Sequence, residues 1–186
     1  MDTVSNYTET LEKTVRDLLE RQEDLIRTAF TDQLTGLGNR GGFARSLEEL
    51  WKQDAPVTMA FIDIDNLKHC NDVFGHDEGN RYILQVSLYL KLYMKVGEAA
   101  FRIGGDEFAV LFININEAEV RDRWHMLLEK FKEMGRPGEP KISAAFGAAF
   151  RDAAELNTIG KIFKTADDNM YLDKERIKGK PHNETR

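Results

Sequence analysis

Two apolar runs, Ala99 to Ile103 (broken only by Arg102) and Phe108 to Ile113, are joined in this chain by Gly104-Gly105-Asp106-Glu107. A Gly-Gly link between such runs predicts a tight β-hairpin, because glycine supplies the positive φ that these turns need. A hairpin commits this stretch to an antiparallel strand pair and leaves little freedom for the rest of the fold. It also holds Asp106 and Glu107 at an exposed tip. Taken alone, the two carboxylates are equally well read as a solvated acidic turn.

A second acidic cluster changes that balance. Val57-Thr58-Met59-Ala60-Phe61-Ile62 is a short apolar run that reads as a buried strand, and it ends in Asp63-Ile64-Asp65. Side chains alternate along a strand, so Asp63 and Asp65 are expected on one face. Two acidic strand ends in one small domain can converge on Mg²⁺, a hard cation that takes oxygen ligands and shares its shell with substrate phosphates. The alternative is a charged strand terminus with helix-capping carboxylates.

Composition narrows the class. With 186 residues, 41% of them hydrophobic, the chain can bury one core of ordinary domain size plus an appendage. A net charge of -6 gives no basic footprint for nucleic acid, so a nucleotide needs local cations. The single cysteine, Cys70, excludes an intrachain disulfide and reads as a small buried apolar residue. No apolar run reaches membrane-spanning length and no signal peptide is visible. The expectation is a soluble, cytoplasmic protein or fragment without membrane contact by this segment.

The first thirty residues differ in character. Val4, Leu11, Leu18 and Leu25 recur every seven residues, with Thr8, Val15, Gln22 and Ala29 between them. This a/d pattern favours a parallel two-stranded coiled coil and hence a homodimer, with Gln22 weakening the seam while fixing register. The competing reading is one amphipathic helix packed on its own domain.

Beyond the stalk, helices are expected over Gly42 to Lys52, Asn66 to Phe74, Glu78 to Lys95, Glu117 to Met134 and Glu155 to Arg176. The strand into Asp63 and the hairpin are joined by a later strand, Lys141 to Ala149. Gly135-Arg136-Pro137-Gly138-Glu139-Pro140 is a clear breaker. This order predicts an α/β (α+β) domain of ferredoxin-like type, with an antiparallel-containing sheet and helices on one side. The expected organisation is a helical stalk over 1–30, a catalytic domain over 31–178 and a tail over 179–186.

These residues resemble the GGDEF family of bacterial diguanylate cyclases. Asp32-Gln33-Leu34-Thr35-Gly36-Leu37-Gly38-Asn39-Arg40 is similar to the family's opening motif. Phe61 to Lys68, with Asn71-Asp72 and Gly75-His76, resembles its metal and nucleotide segment, and the hairpin its signature. Ile142 to Gly147 resembles a late strand, and Ala166-Asp167, Met170-Tyr171 and Lys174 the last helix. The resemblance runs from about Asp32 to Lys178 and implies a palm-type nucleotidyl cyclase fold.

It implies phosphoryl transfer as well. The 3′-hydroxyl of one GTP attacks the α-phosphate of another, pyrophosphate leaves, and a second round closes cyclic di-GMP. Two Mg²⁺ ions per active site, with Mn²⁺ as an alternative, would stand about 3.5–4 Å apart. By resemblance Asp63, Asp106 and Glu107 are metal ligands with the Ile64 carbonyl, and Glu107 completes the metal site or assists removal of the hydroxyl proton. Lys68 and Lys174 match phosphate-binding lysines, and Asn71 and Asn80 stand at guanine-reading positions. Arg102 supports the hairpin or the phosphates. His76 is structural, since Mg²⁺ prefers oxygen. The resemblance also implies a sensor domain upstream of the stalk; because a parallel stalk does not by itself make the catalytic domains face each other, Thr28 to Asp32 is the expected hinge. Each chain holds one nucleotide, so two chains must face each other.

Two positions depart from the family pattern. Its inhibitory Arg-x-x-Asp motif is here Lys95 and Glu98; lysine lacks the planar fork of arginine, so product inhibition is expected to be weak or absent. The usual Gly-Asp pair is Gly79-Asn80, and asparagine offers one acceptor and one donor where aspartate offers two acceptors. The alternatives to a strict diguanylate cyclase are therefore an enzyme that also makes cyclic GMP-AMP, or a catalytically silent GTP-binding regulatory module. A coiled-coil scaffold without nucleotide chemistry is the remaining class.

Overall fold

The computed structural model describes residues 2–52, 55–133, 142–152 and 159–179. The breaker at 135–140, the first residue of the expected strand at Lys141, the expected helix start at Glu155 and the tail from 180 lie outside the described residues. Strand β1 (Val57–Ile64) is central in a sheet of order β2-β3-β1-β4, where β2 is Ala99–Arg102, β3 Glu107–Ile113 and β4 Ala144–Arg151. Every neighbouring pair is antiparallel. β1 and β2 therefore run parallel with β3 inserted between them, the split arrangement of a ferredoxin-like fold.

All eight residues of β1 are buried. Ala60, Ile62 and Ile64 pack with helices α3 (Leu67–Phe74), α4 (His76–Tyr93) and α5 (Glu117–Glu133). Val57, Met59 and Phe61 pack with α2 (Arg40–Lys52) and α6 (Ile159–Lys178). The helices thus cover both faces of the sheet, which corrects the one-sided expectation. An unbroken apolar run, where a half-exposed strand would alternate, is the mark of a strand buried on both faces.

The hairpin differs from the expected two-residue turn. Neither Gly104 nor Gly105 adopts a left-handed φ. The last ladder pair is Arg102 with Phe108, and the amides of Ile103 and Gly104 both donate to the Glu107 carbonyl, at 2.9 and 3.3 Å. The loop is therefore wider, closing over Gly104-Gly105-Asp106. A Cβ at 104 would lie 2.5 Å from Glu107 Oε2 and 3.2 Å from its Cβ, so a side chain there would displace the exposed Glu107 carboxylate.

Helix α1 (Asp2–Phe30) carries the heptads, and Leu11, Val15, Leu18 and Leu25 are 48–70% exposed. It does not pack its apolar stripe on its own domain. Its C-terminal end is tied to the domain. The Asn39 amide donates to the Ala29 carbonyl at 2.9 Å, the Asn39 backbone N–H donates to the Phe30 carbonyl at 2.9 Å, and Thr31 bridges to Gly38. The Arg45 guanidinium lies 5.0 Å from the centre of the Phe30 ring. At the expected hinge, Thr28 to Asp32, the helix ends at Phe30 and its last carbonyls are taken up by side-chain and backbone donors of the domain.

Candidate active site

Asp63 and Glu107 are cross-strand partners in the β1–β3 register, so their side chains leave the same face of the sheet. The Ile64 N–H donates to the Asp106 carbonyl at 3.0 Å, which ties the hairpin to the end of β1. Asp63 is buried, Asp106 half-buried and Glu107 exposed. From α6, Lys174 Nζ donates to Asp63 Oδ1 at 2.7 Å. Burial works to lower the Lys174 pKa, but the hydrogen bond to Asp63 and the charges of Asp63, Asp106 and Asp65 outweigh it and hold it above its ordinary value.

Asp65 lies just past the strand. Its N–H donates to the Ser143 carbonyl at 2.9 Å, and Ser143 Oγ donates back to Asp65 Oδ2 at 2.5 Å. Burial pushes its carboxyl pKa up and the neighbouring Asp63 charge adds to this, against the Ser143 hydrogen bond. The chain then turns through Asn66, at φ 58°, into α3.

The donor set at this strand end is of hard oxygens with negative charge in excess of one ammonium, which suits Mg²⁺ or Mn²⁺. In the arrangement described, the Lys174 ammonium is the cation against Asp63. Among the described residues no three Asp, Glu, His or Cys side chains are drawn into one metal-sized cluster. The β1–β3 pairing thus brings Asp63, Ile64, Asp106 and Glu107 to one place.

The base-reading candidates also come together. Asn71 on α3 lies against Gly79 on α4, where a Cβ would stand 1.8 Å from Asn71 Oδ1, so only glycine permits this approach. Asn80 follows at the surface of α4. Lys68 is exposed in the first turn of α3. His76 is the exposed first residue of α4.

Arg102 faces inward to the hairpin. Its Nε and Nη2 donate to the Gly105 carbonyl at 3.2 and 2.7 Å, and Nη1 reaches Asp32 at 3.4 Å. Asp32 also accepts from the Thr35 amide and hydroxyl, at 2.8 and 2.7 Å. Burial tends to raise the Asp32 pKa, yet the Thr35 hydrogen bonds and the Arg102 guanidinium bring it below its ordinary value. Lys91 Nζ donates to the Thr35 carbonyl at 2.7 Å and secures the same turn.

Lys95 and Glu98 stand apart from this site, between α4 and β2. The Glu98 side chain is 2% exposed, with Oε1 accepting from Arg123 at 2.6 Å and Oε2 from the Lys95 backbone N–H at 2.9 Å. Lys95 itself is exposed. Sequence reasoning missed Arg123, and missed Ser143 and Asp32 as supports. The visible signal was the Glu119–Arg123 spacing, an i,i+4 pair that closes at 2.8 Å.

A split, fully antiparallel sheet with an acidic strand end opposite an acidic hairpin defines a palm-type nucleotidyl cyclase domain. The family model described as "Diguanylate cyclase, GGDEF domain" matches residues 29–180. The chain is 30% identical over 177 residues to diguanylate cyclase DgcP of Escherichia coli, covering 91% of this chain and 52% of that protein. It is 32% identical over 164 residues to diguanylate cyclase DgcN of the same organism, covering 84% and 40%. It thus spans about half, or less, of these curated relatives. The solved structure of the coiled coil and GGDEF domain of DgcB from Caulobacter crescentus, in complex with c-di-GMP, superposes with a TM-score of 0.83 at 25% identity, covering 94% of this chain and 96% of that one. The chain belongs to the GGDEF family.

Proposed function

We propose that this chain is a diguanylate cyclase module that condenses two GTP to cyclic di-GMP across a homodimer. The observation that carries the reading is the pairing of Asp63 with Glu107 across β1 and β3, with the hairpin tied to Ile64 and Lys174 set into the acidic cluster. A divalent cation held by Asp63, Asp106, Glu107 and the Ile64 carbonyl would neutralise phosphate charge and lower the pKa of the attacking hydroxyl. Lys174 and Lys68 hold phosphate oxygens. Asn71 and Asn80 orient the base. Glu107 takes the proton as the 3′-oxygen forms its bond to the α-phosphorus and the bond to pyrophosphate breaks. Arg102 acts as a hairpin brace, with its guanidinium spent on Gly105 and Asp32.

The organisation proposed is a stalk over 1–30, a catalytic module over 31–178 and a tail over 179–186. The exposed a/d stripe of α1 supports dimerisation, since an apolar helix face of this kind is covered when two stalks pair. A sensor upstream of the stalk and a cytoplasmic setting complete the proposal; among the described residues no helix is long and apolar enough to cross a membrane. Incubating the purified chain with GTP and Mg²⁺ and resolving products by mass tests the reaction. Cyclic di-GMP with loss in Asp106→Ala is expected. Bound but unturned GTP would favour a silent regulatory module.

A further inference from the structure

On the α2/α6 face of the sheet lies a cavity of about 140 Å³ that none of the proposed metal or nucleotide residues lines except Glu107. Its floor is aromatic. Phe61 stands edge-on to both Phe43 and Phe163, with centroid distances of 6.1 and 4.8 Å, and Met170 closes the side. Its rim holds Arg40, Glu107 and Asp167. Among the described residues none of these three charged side chains makes a hydrogen bond or ion pair. Phe163 remains 41% exposed, so one wall of the cavity is open to solvent.

The size is that of a single ring, since an apolar cavity of about 150 Å³ admits benzene. The charge on the rim is two carboxylates against one guanidinium. Ring faces carry negative potential and attract cations as well. The shape, floor and rim therefore select one chemistry. We propose that this cavity binds a small planar aromatic cation, its ring on Phe61 and Phe163 and its N–H edge paired with Asp167 and Glu107. Arg40 takes an acceptor on the opposite edge of a larger ligand. Engaging Glu107 removes it from the acidic set, so such a ligand inhibits. That consequence rests on the proposed role of Glu107, whereas binding does not.

Titration calorimetry of the full chain with benzamidinium, without GTP or divalent metal, tests the proposal independently of turnover. Saturable binding of one molecule per chain is expected, with about tenfold weaker affinity in Asp167→Asn from loss of a charge-assisted hydrogen bond. Arg40→Gln is expected to tighten it, a gain that misfolding cannot produce. Benzoate, with the same ring and the opposite charge, is expected not to saturate. Absence of saturation, equal affinity in Asp167→Asn, or equal binding of benzoate would overturn the proposal. If the chain binds benzamidinium in this pattern but makes no cyclic di-GMP, the cavity stands and the cyclase reading falls.

Discussion

At the scale of single residues, Asp32 shows how a charge remote from the chemistry sets the hairpin. Its carboxylate accepts from Thr35 and meets Arg102, which in turn grips the Gly105 carbonyl. Its pKa is lowered from 3.8, so the folded state favours the ionised form more than the unfolded chain does. The stability it contributes is therefore present above the unfolded value and is lost as pH falls through the lower folded value. Asp32→Asn is expected to cost about 1–2 kcal/mol at neutral pH and progressively less as the pH falls below 4, as read from urea midpoints. A difference independent of pH would contradict this. Asn80 makes a separate prediction about specificity. Its amide can accept from guanine with its oxygen, but its NH₂ faces a guanine donor and suits adenine's N6/N1 edge. Weaker guanine selectivity, some cyclic GMP-AMP from mixed ATP and GTP, and roughly tenfold better discrimination in Asn80→Asp are expected. A competition assay yielding cyclic di-GMP alone, unchanged in Asn80→Asp, would show the substitution to be tolerated.

At the scale of elements, the loop from α4 to β2 has become a structural clasp. Both Glu98 oxygens are engaged internally, on Arg123 and the Lys95 amide, and the side chain is 2% exposed. Added cyclic di-GMP is accordingly expected to inhibit weakly, with no change in Lys95→Ala. Potent noncompetitive inhibition abolished by that substitution would refute it. Glu98→Ala removes one of the two carboxylates on the Arg123 guanidinium, which keeps Glu119, and a loss of about 1–2 kcal/mol in denaturant unfolding is expected. Much of this architecture was legible from local pattern. The run into Asp63, the acidic hairpin and the heptads of α1 each depend on residues adjacent in the chain. The misses have a common cause. The two-residue turn expected from Gly-Gly rests on a positive φ that neither glycine adopts, and the wider loop is set by the Ile103 and Gly104 amides on the Glu107 carbonyl. The clasp at Arg123, 25 residues from Glu98, and the brace from Ser143, 78 residues from Asp65, are long-range contacts that no local period records. The second helical layer was written in the unbroken apolarity of β1 and passed over.

At the scale of the whole molecule, the proposed reaction gives each chain one nucleotide, so on that reading closing a cyclic dinucleotide requires two chains. A paired stalk would raise the effective concentration of the second domain, by an amount set by its length and stiffness. Asn39 bonds to the Ala29 and Phe30 carbonyls tie the end of the stalk to the domain; if stalk register or angle controls productive encounter, deleting the stalk is expected to lower turnover per chain. Replacing Leu11, Leu18 and Leu25 by Ser is expected to leave the domain folded, because those side chains are exposed on a single chain, while shifting sedimentation from dimer to monomer. The most direct test of the account is product formation from GTP and Mg²⁺ measured against chain concentration, with the product identified by mass. Cyclic di-GMP is expected, with turnover per chain constant while the stalk pairs and falling on dilution below its dissociation. Turnover per chain that does not change as dimer gives way to monomer, or no cyclic di-GMP at any concentration, would contradict it.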